Sequence, residues 1–432
     1  MAEEKFKLTY MKKLIYTLLI LVFAVSLNAQ WVKKADGLDT TKALNGFVQL
    51  GTNIYSGYYG GVFLSTNDGD NWSSVSSGLN YNLVLALAGS GNNLYAGTYG
   101  GGVYRSTNSG TNWNLSGLSG SRVWSVCVKG TNVYAGLESG GLFVSSDSGA
   151  TWSYANLGVS FIFSLAYIDN NIFAGTRSGI YRSTDNGNTW SNVYYLGIDV
   201  GCVAANGSNI FAGMSGGAGV YKSTNNGTNW FASNTGMSHN NVYCYAFAGN
   251  ITFAGTLSGG VYMSTNSGDS WIQKIEGMTL GTTVGRLLIA NNYIFAGTNA
   301  GSLVWRRPLS DLIVPLITVP LSPLNNSTGN LINLNLVWSK PQYATGYNVV
   351  LSTDSLFSTI VVNDSLLTDS IKVVNNLLPL TNYYWKVRAK NAAGSSAFST
   401  VSKFKTLGTP AQVTLLQPLN NSVNQSINIT FK

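Results

Sequence analysis

Tyr55–Ser56–Gly57 returns along the chain as Tyr95–Ala96–Gly97, Tyr134–Ala135–Gly136, Phe173–Ala174–Gly175, Phe211–Ala212–Gly213, Phe253–Ala254–Gly255 and Phe295–Ala296–Gly297, at steps of 40, 39, 39, 38, 42 and 42 residues. Seven near-equal copies constrain the fold more than any other property. A repeat of this size is one supersecondary unit, which buries its apolar face only by stacking on its neighbours. A period near 40 residues matches one four-stranded blade of a β-propeller. In the second copy the strands read directly as an apolar run at 84–88, a strand at 94–98, another at 103–106 and a fourth from Trp113. Turns at Asn92–Asn93, Gly100–Gly101–Gly102 and Asn108–Ser109–Gly110 separate them. Such punctuation marks hairpins. With no sustained helical period, the region is predicted to be all-β.

Tryptophan gives the same count in a second register. Trp31, Trp72, Trp113, Trp152, Trp190, Trp230 and Trp271 are spaced by 41, 41, 39, 38, 40 and 41 residues. Trp31 precedes the first complete copy, and its context WVKKADGL matches WSSVSSGL at 72–79. The seventh copy has Ala296–Gly297 but no later tryptophan of the series. Residues 31–38 are therefore predicted to supply the outer strand of the blade at 284–308. That closes a seven-bladed ring over residues 30–308 and leaves no exposed sheet edge.

Composition bounds the alternatives. Of the 432 residues 10% are charged, 45% apolar and 12% aromatic, whereas an ordinary soluble domain carries about 25% charge. Asn, Ser, Thr and Gly must solvate this surface, which excludes a helical bundle or coiled coil; the apolar share excludes disorder. All eight prolines stand at or after Pro308 and 45 of the 49 glycines before it, placing a boundary there. Lys12 and Lys13 precede an apolar run at 14–25 and the stretch Ser26–Leu27–Asn28–Ala29. This is the pattern of a signal peptide, shorter than the roughly 20 residues of a spanning helix. Residues 1–29, including an extension ahead of Met11, are expected to be removed on export, leaving no integral membrane segment. Their loss takes four Lys and two Glu, so the net charge falls from +8 to +6. Only the pairs Lys33–Lys34 and Arg306–Arg307 remain as basic runs, so no nucleic-acid partner is expected. Cys127, Cys202 and Cys244 show no metal spacing. They read as buried free thiols, with a 202–244 bridge as the open alternative.

After the third strand of six copies stands an octapeptide: STNDGDNW (65–72), STNSGTNW (106–113), SSDSGATW (145–152), STDNGNTW (183–190), STNNGTNW (223–230) and STNSGDSW (264–271). These resemble the Asp-box (BNR) repeats of sialidases, sortilin-type receptors, xyloglucanases and photosystem II assembly factor-like propellers. The resemblance covers 31–308. Asp147 and Asp185 keep the aspartate of the pattern, and Asn67, Asn108, Asn225 and Asn266 replace it. Both side chains can cap the turn, Gly supplies positive φ and Trp packs between strands, so the boxes read as structural hairpins.

The resemblance includes glycosidases, which sets a test. The sialidase pattern carries an early Arg-Ile-Pro motif, and no proline occurs before Pro308. Arg105, Arg122, Arg177, Arg182, Arg286, Arg306 and Arg307 are the arginines of the propeller region, Arg105 and Arg182 in strand positions before boxes. Carboxylates outside the boxes are few, chiefly Glu138, Asp169, Asp199 and Glu276, and His239 is the single histidine. No acid/base pair, zinc site or Ser-His-Asp set is recognisable. Catalytic residues, metal and cofactor are therefore expected to be none.

A recognition face is the better expectation. In a propeller the loops between second and third strands and those between blades share one face. The residues following the second strand differ: Tyr58, Tyr99, Glu138, Arg177, Ser215, Leu257 and Asn299; the interblade loops add Tyr81, Arg122, Phe161, Asp199 and His239. A constant scaffold with variable aromatic and charged loops suits binding, and Tyr99, Arg122, Glu138, Arg177 and His239 are the candidate binding residues.

Residues 309–320 read as a connector. From 321 to 407 the pattern resembles a fibronectin type III domain, an immunoglobulin-like β-sandwich: Trp338 early, Tyr347 in GYNV, then Leu380, Tyr383, Trp385 and Val387. Alternation through Tyr383, Trp385, Val387 and Ala389 puts one face in a core. QPLNNSVNQSINITFK (417–432) repeats SPLNNSTGNLINLNLV (322–337), so 410–432 reads as the start of a second such domain and the chain as a fragment. The expected function is non-catalytic binding of an extracellular protein or glycan by a secreted or cell-surface monomer. An extracellular glycoside hydrolase, sialidase-like or xyloglucanase-like, is the alternative.

Overall fold

The computed structural model describes residues 30–195, 197–298, 304–408 and 423. The signal-peptide segment 1–29, Asn299 and the second sandwich copy, Val423 excepted, lie outside the described residues. The chain divides into two units, Met1–Leu312 and Ile313–Lys432.

Among the described residues the first unit holds seven four-stranded antiparallel sheets. The first of these is made of Leu44–Leu50, Asn53–Tyr58, Gly61–Ser65 and Ser73–Ser74. The innermost strands Leu44–Leu50, Val84–Ser90, Val123–Lys129, Ile162–Ile168, Val200–Asn206, Val242–Ala248 and Val284–Ala290 neighbour one another in cyclic order, the last returning to the first. In the sheet that closes the ring, Val32 pairs opposite Arg306 and Lys33 opposite Trp305. The N-terminal strand thus completes the last sheet, as the two registers of the sequence predict.

The aromatic-Ala-Gly repeat has a packing reason. Each second strand is buried on both faces between neighbouring sheets. A Cβ on Gly97 would stand 2.8 Å from Val123 Cγ1 of the next sheet, and one on Gly297 would stand 2.5 Å from Leu44 Cδ2. Only glycine allows sheets to approach so closely.

The boxes close one end of six of the seven sheets by one hydrogen-bond scheme. The serine Oγ accepts the glycine N–H at 2.6–2.9 Å. The Asp or Asn Oδ1 accepts the N–H four residues on at 2.9–3.0 Å. Aspartate adds one bond: Asp147 Oδ2 accepts from Thr151 Oγ1 and Asp185 Oδ2 from Thr189 Oγ1, both at 2.6 Å. These bonds hold both carboxyls below the ordinary range, Asp185 at about 2. The tryptophans then join sheet to sheet. Trp31, Trp72, Trp113, Trp152 and Trp271 donate Nε1–H to carbonyls of Lys274, Lys34, Val75, Ser116 and Ser233. Trp190 and Trp230 instead fold back on Gly187 and Gly227 of their own boxes.

The second unit is a two-sheet sandwich. One sheet orders Pro320–Ser322, Leu334–Trp338 and Ile371–Val374; the other orders Ser327–Asn330, Ser402–Thr406, Asn382–Asn391, Gly346–Ser352 and Ile360–Leu367, with Gly394–Ser395 attached. Its core holds Leu336, Trp338, Tyr347, Val349, Leu351, Leu377, Tyr383, Trp385, Val387, Ala389 and Phe404. Leu380 is not part of it: it sits exposed at φ +53° on the preceding turn, and Leu377 fills the core instead. The stretch 309–320 is anchored at both ends. Leu309 N–H bonds to the Asn292 carbonyl, and buried Thr318 donates to the Val387 carbonyl.

Candidate functional site

The end of the ring away from the boxes is built from one repeated backbone bond. Tyr99 N–H donates to the Leu83 carbonyl, Glu138 to Arg122, Arg177 to Phe161, Ser215 to Asp199 and Leu257 to Asn241. In each case the residue after a second strand is tied to the connection entering its own sheet. Because main-chain atoms make the bond, the side chain is free to vary. The ring therefore presents a rim of unlike side chains on a uniform support.

Those side chains interact along part of the rim. The Arg122 guanidinium lies 3.9 Å from the Tyr99 ring centroid, and its Nη1 donates to Glu138 Oε2 at 2.7 Å. One sheet further on, Arg177 lies 3.8 Å from the centroid of Phe161, with Asp199 3.9 Å from its Nε. The Phe161 N–H bonds to the Glu138 carbonyl, which links the two groups. A band of two arginines on aromatic faces beside two carboxylates results. It offers stacking surfaces, guanidinium donors and carboxylate acceptors, the groups that bind peptide or sugar. Tyr59 and Tyr81 continue the exposed aromatic surface, Lys42 standing 4.9 Å from the Tyr59 ring. His239 stands apart. Its Nδ1 is 3.2 Å from the Tyr262 hydroxyl, and it borders a separate cavity of about 350 Å³ with Gln273, Ile275 and Leu280. The sequence candidates thus divide: Tyr99, Arg122 and Glu138 touch, Arg177 is their neighbour, and His239 is remote from this network.

The structure adds a layer that the sequence reading missed. Every innermost strand carries a β-bulge near its start, and the residue after the bulge pairs with the glycine of the repeat. In order these residues are Gly46, Ala86, Ser125, Ser164, Cys202, Cys244 and Arg286. Six are small and one is a large cation. All seven line a central channel of about 220 Å³, together with Trp124, Phe163, Tyr243 and Tyr245. Aligning the copies on their glycines exposes Arg286 as the outlier, since each of the seven residues stands eleven positions before its glycine.

Arg286 donates from Nη1 to the Gly285 carbonyl and from Nε to the Asn45 carbonyl, bridging the last sheet to the first. Burial lowers its pKa. Cys202 and Cys244 are free and buried, as is Cys127; burial pushes the Cys127 and Cys244 thiols up to about 12 and Cys202 higher still. They are poor nucleophiles in that state. Cys202 Sγ–H instead points to the Val242 carbonyl of the next sheet at 3.4 Å. Among the described residues no group of three or more His, Cys, Asp or Glu side chains could hold a metal ion, and no helix is long and apolar enough to cross a membrane.

No family model matches the chain, and no curated protein matches it. Solved structures do. YCF48 bound to D1 peptide is 13% identical with a TM-score of 0.53, over 64% of this chain and 96% of that one. The extracellular domain of BT4673 from B. thetaiotaomicron is 12% identical with a TM-score of 0.52, over 88% of this chain and 59% of its own. The GH74 xyloglucanase from Xanthomonas campestris is 14% identical with a TM-score of 0.50, over 86% of this chain and 81% of its own. At such identities the likeness concerns fold alone, and the fold shared is the β-propeller, here all-β with repeated four-stranded antiparallel blades.

Proposed function

We propose that the chain is an extracellular, non-catalytic recognition protein: a seven-bladed Asp-box propeller that binds a protein or glycan on its rim, joined to a fibronectin type III module. The observation that carries the binding reading is the Tyr99–Arg122–Glu138–Phe161–Arg177–Asp199 band. Its side chains differ from blade to blade while the backbone bond beneath them repeats. A scaffold conserved within one chain beside a variable, chemically mixed face is what recognition requires. The peptide bound in the YCF48 structure and the extracellular placing of the BT4673 domain agree with it. The seven cyclic sheets support the blade count, and the sandwich supports the second module. Its Leu378 N–H bonds to the Tyr383 hydroxyl at 2.8 Å, the tyrosine-corner arrangement of such sandwiches.

The test is a peptide and glycan array, run beside hydrolysis assays on sialosides and β-glucans. Binding without turnover is expected. Replacing Tyr99, Arg122 and Arg177 together by Ala should abolish binding while the thermal midpoint stays put, because surface changes cost within about 0.5 kcal/mol each. Unchanged binding by the triple variant, or turnover of either polysaccharide class, would overturn the reading.

A further inference from the structure

We propose that the central channel is a binding site for a carboxylate group, held by Arg286. Four observations meet there. First, the position that pairs with the repeat glycine is Gly, Ala, Ser or Cys in six sheets and arginine in the seventh. The other six sheets pack with small residues at this position, whereas Arg286 also bridges the last sheet to the first through the Asn45 carbonyl. Second, the guanidinium has no anionic partner. Its two bonds go to main-chain carbonyls, Nη2 makes none, and no Asp or Glu lines the channel among the described residues. Arg286 is half-buried, and a bound anion would offset the cost of its partly desolvated charge.

Third, two further channel-lining donors are idle. The Trp124 Nε1–H and the Tyr245 hydroxyl are buried without a hydrogen-bond partner, against the general rule that buried polar groups are satisfied. Burial raises the Tyr245 pKa well above its ordinary value, so the phenol stays protonated and can donate. Fourth, there is room: about 220 Å³ between Trp124, Phe163, Tyr245 and the two cysteines. The charge count selects among anions. A phosphate carries between one and two negative charges at neutral pH, a monoester about 1.5–2, and a single guanidinium would leave part of that charge unpaired in a site with no other cation lining it. A carboxylate carries one charge and two oxygens, which match the single guanidinium and its free Nη2.

A free organic acid and an acidic side chain on a peptide inserted into the channel share this chemistry, and one experiment separates them. Calorimetric titration and thermal unfolding of the full chain would be run at fixed ionic strength with acetate, N-acetyl-aspartate amide, a short Asp-containing peptide, chloride and phosphate. Acetate and N-acetyl-aspartate amide should bind at about millimolar affinity and raise the thermal midpoint with concentration; chloride and phosphate should not. Tighter binding of the peptide points to a protein source, and equal binding to a free acid. Arg286→Gln keeps a donor for the Asn45 carbonyl but loses the charge, and should weaken acetate about tenfold or more. Absence of carboxylate binding, or equal binding by Arg286→Gln, overturns the proposal. Neither result touches the rim reading, whose variants lie elsewhere.

Discussion

At the box end of the sheets, six hairpins share one hydrogen-bond scheme down to a tenth of an ångström or so in the Oδ1 bond. At the rim end the matching positions hold Tyr59, Tyr99, Glu138, Arg177, Ser215 and Leu257; Tyr58, which the sequence register put here, is the buried last residue of its strand. The difference lies in which atoms do the holding. A box is closed by a serine hydroxyl, an Asp or Asn oxygen and a glycine at φ of +79° to +92°, so three side-chain identities are required. The rim is closed by N–H and C=O groups that nearly every residue has. One end of the repeat is therefore bound to its sequence and the other is released from it. If that division is right, substitutions at the box end should act on stability, and those at the rim on binding.

The largest test is Trp31→Ala. Trp31 is buried, donates to the Lys274 carbonyl through Nε1 and donates its backbone N–H to the Glu276 carbonyl. It ties the N-terminal strand to the sheet before it, as Trp72 ties the same segment to the sheet after it through the Lys34 and Asp36 carbonyls. Emptying such a site should cost about 3–5 kcal/mol in urea unfolding. A loss under about 1 kcal/mol would show that the ring holds without this seam, and the division between the two ends would fail. A middle-sized test is already written into the repeat. Tyr55, Tyr95 and Tyr134 donate their hydroxyls to box carbonyls of the next sheet, at Ser109, Ser148 and Asn186. Later copies carry Phe at this position. Tyr95→Phe should cost about 1 kcal/mol, and no more than that, because phenylalanine already packs in the same place at Phe173 against Gly227.

The ring and its closure could be read in the chain because two residue series, aromatic-Ala-Gly and Trp, count the same units from different starting points. The rim could be read because it is the complement of a repeat. Two features could not. Trp190 and Trp230 look identical to the other box tryptophans in sequence, yet bond to their own boxes. Their choice depends on whether a carbonyl of the preceding outer strand comes within reach, which is a tertiary fact. Arg286 stands eleven residues before Gly297, the spacing of Gly46 from Gly57 and of Cys244 from Gly255, so its oddity is legible; that this position lines the channel is not, because a bulge resets which side of the strand it takes.

The finest test lies within the boxes themselves. Asn and Asp fill the same position, make the same Oδ1 bond, and differ only in charge and in the extra threonine bond at Asp147 and Asp185. Both carboxyls are held below their ordinary range by hydrogen bonds to the charged form, first from the threonine hydroxyl and then from its N–H. A depressed folded pKa contributes stability that is present above the unfolded value of about 3.9 and lost as pH falls through the folded value. For Asp185 that window runs from the unfolded value down to about 2. Stability should therefore be flat in this respect near neutrality and fall on the acid side. Because both groups are solvent-exposed, the acid loss should be modest and salt-sensitive. Asp147→Asn with Asp185→Asn converts the two boxes to the chemistry of the other four. The double variant should unfold in urea like the parent at pH 7 and lose less stability than the parent between pH about 4 and 2. An unaltered acid limb would mean that the box takes nothing from its charge, and that Asp and Asn are equivalent turn caps throughout the ring.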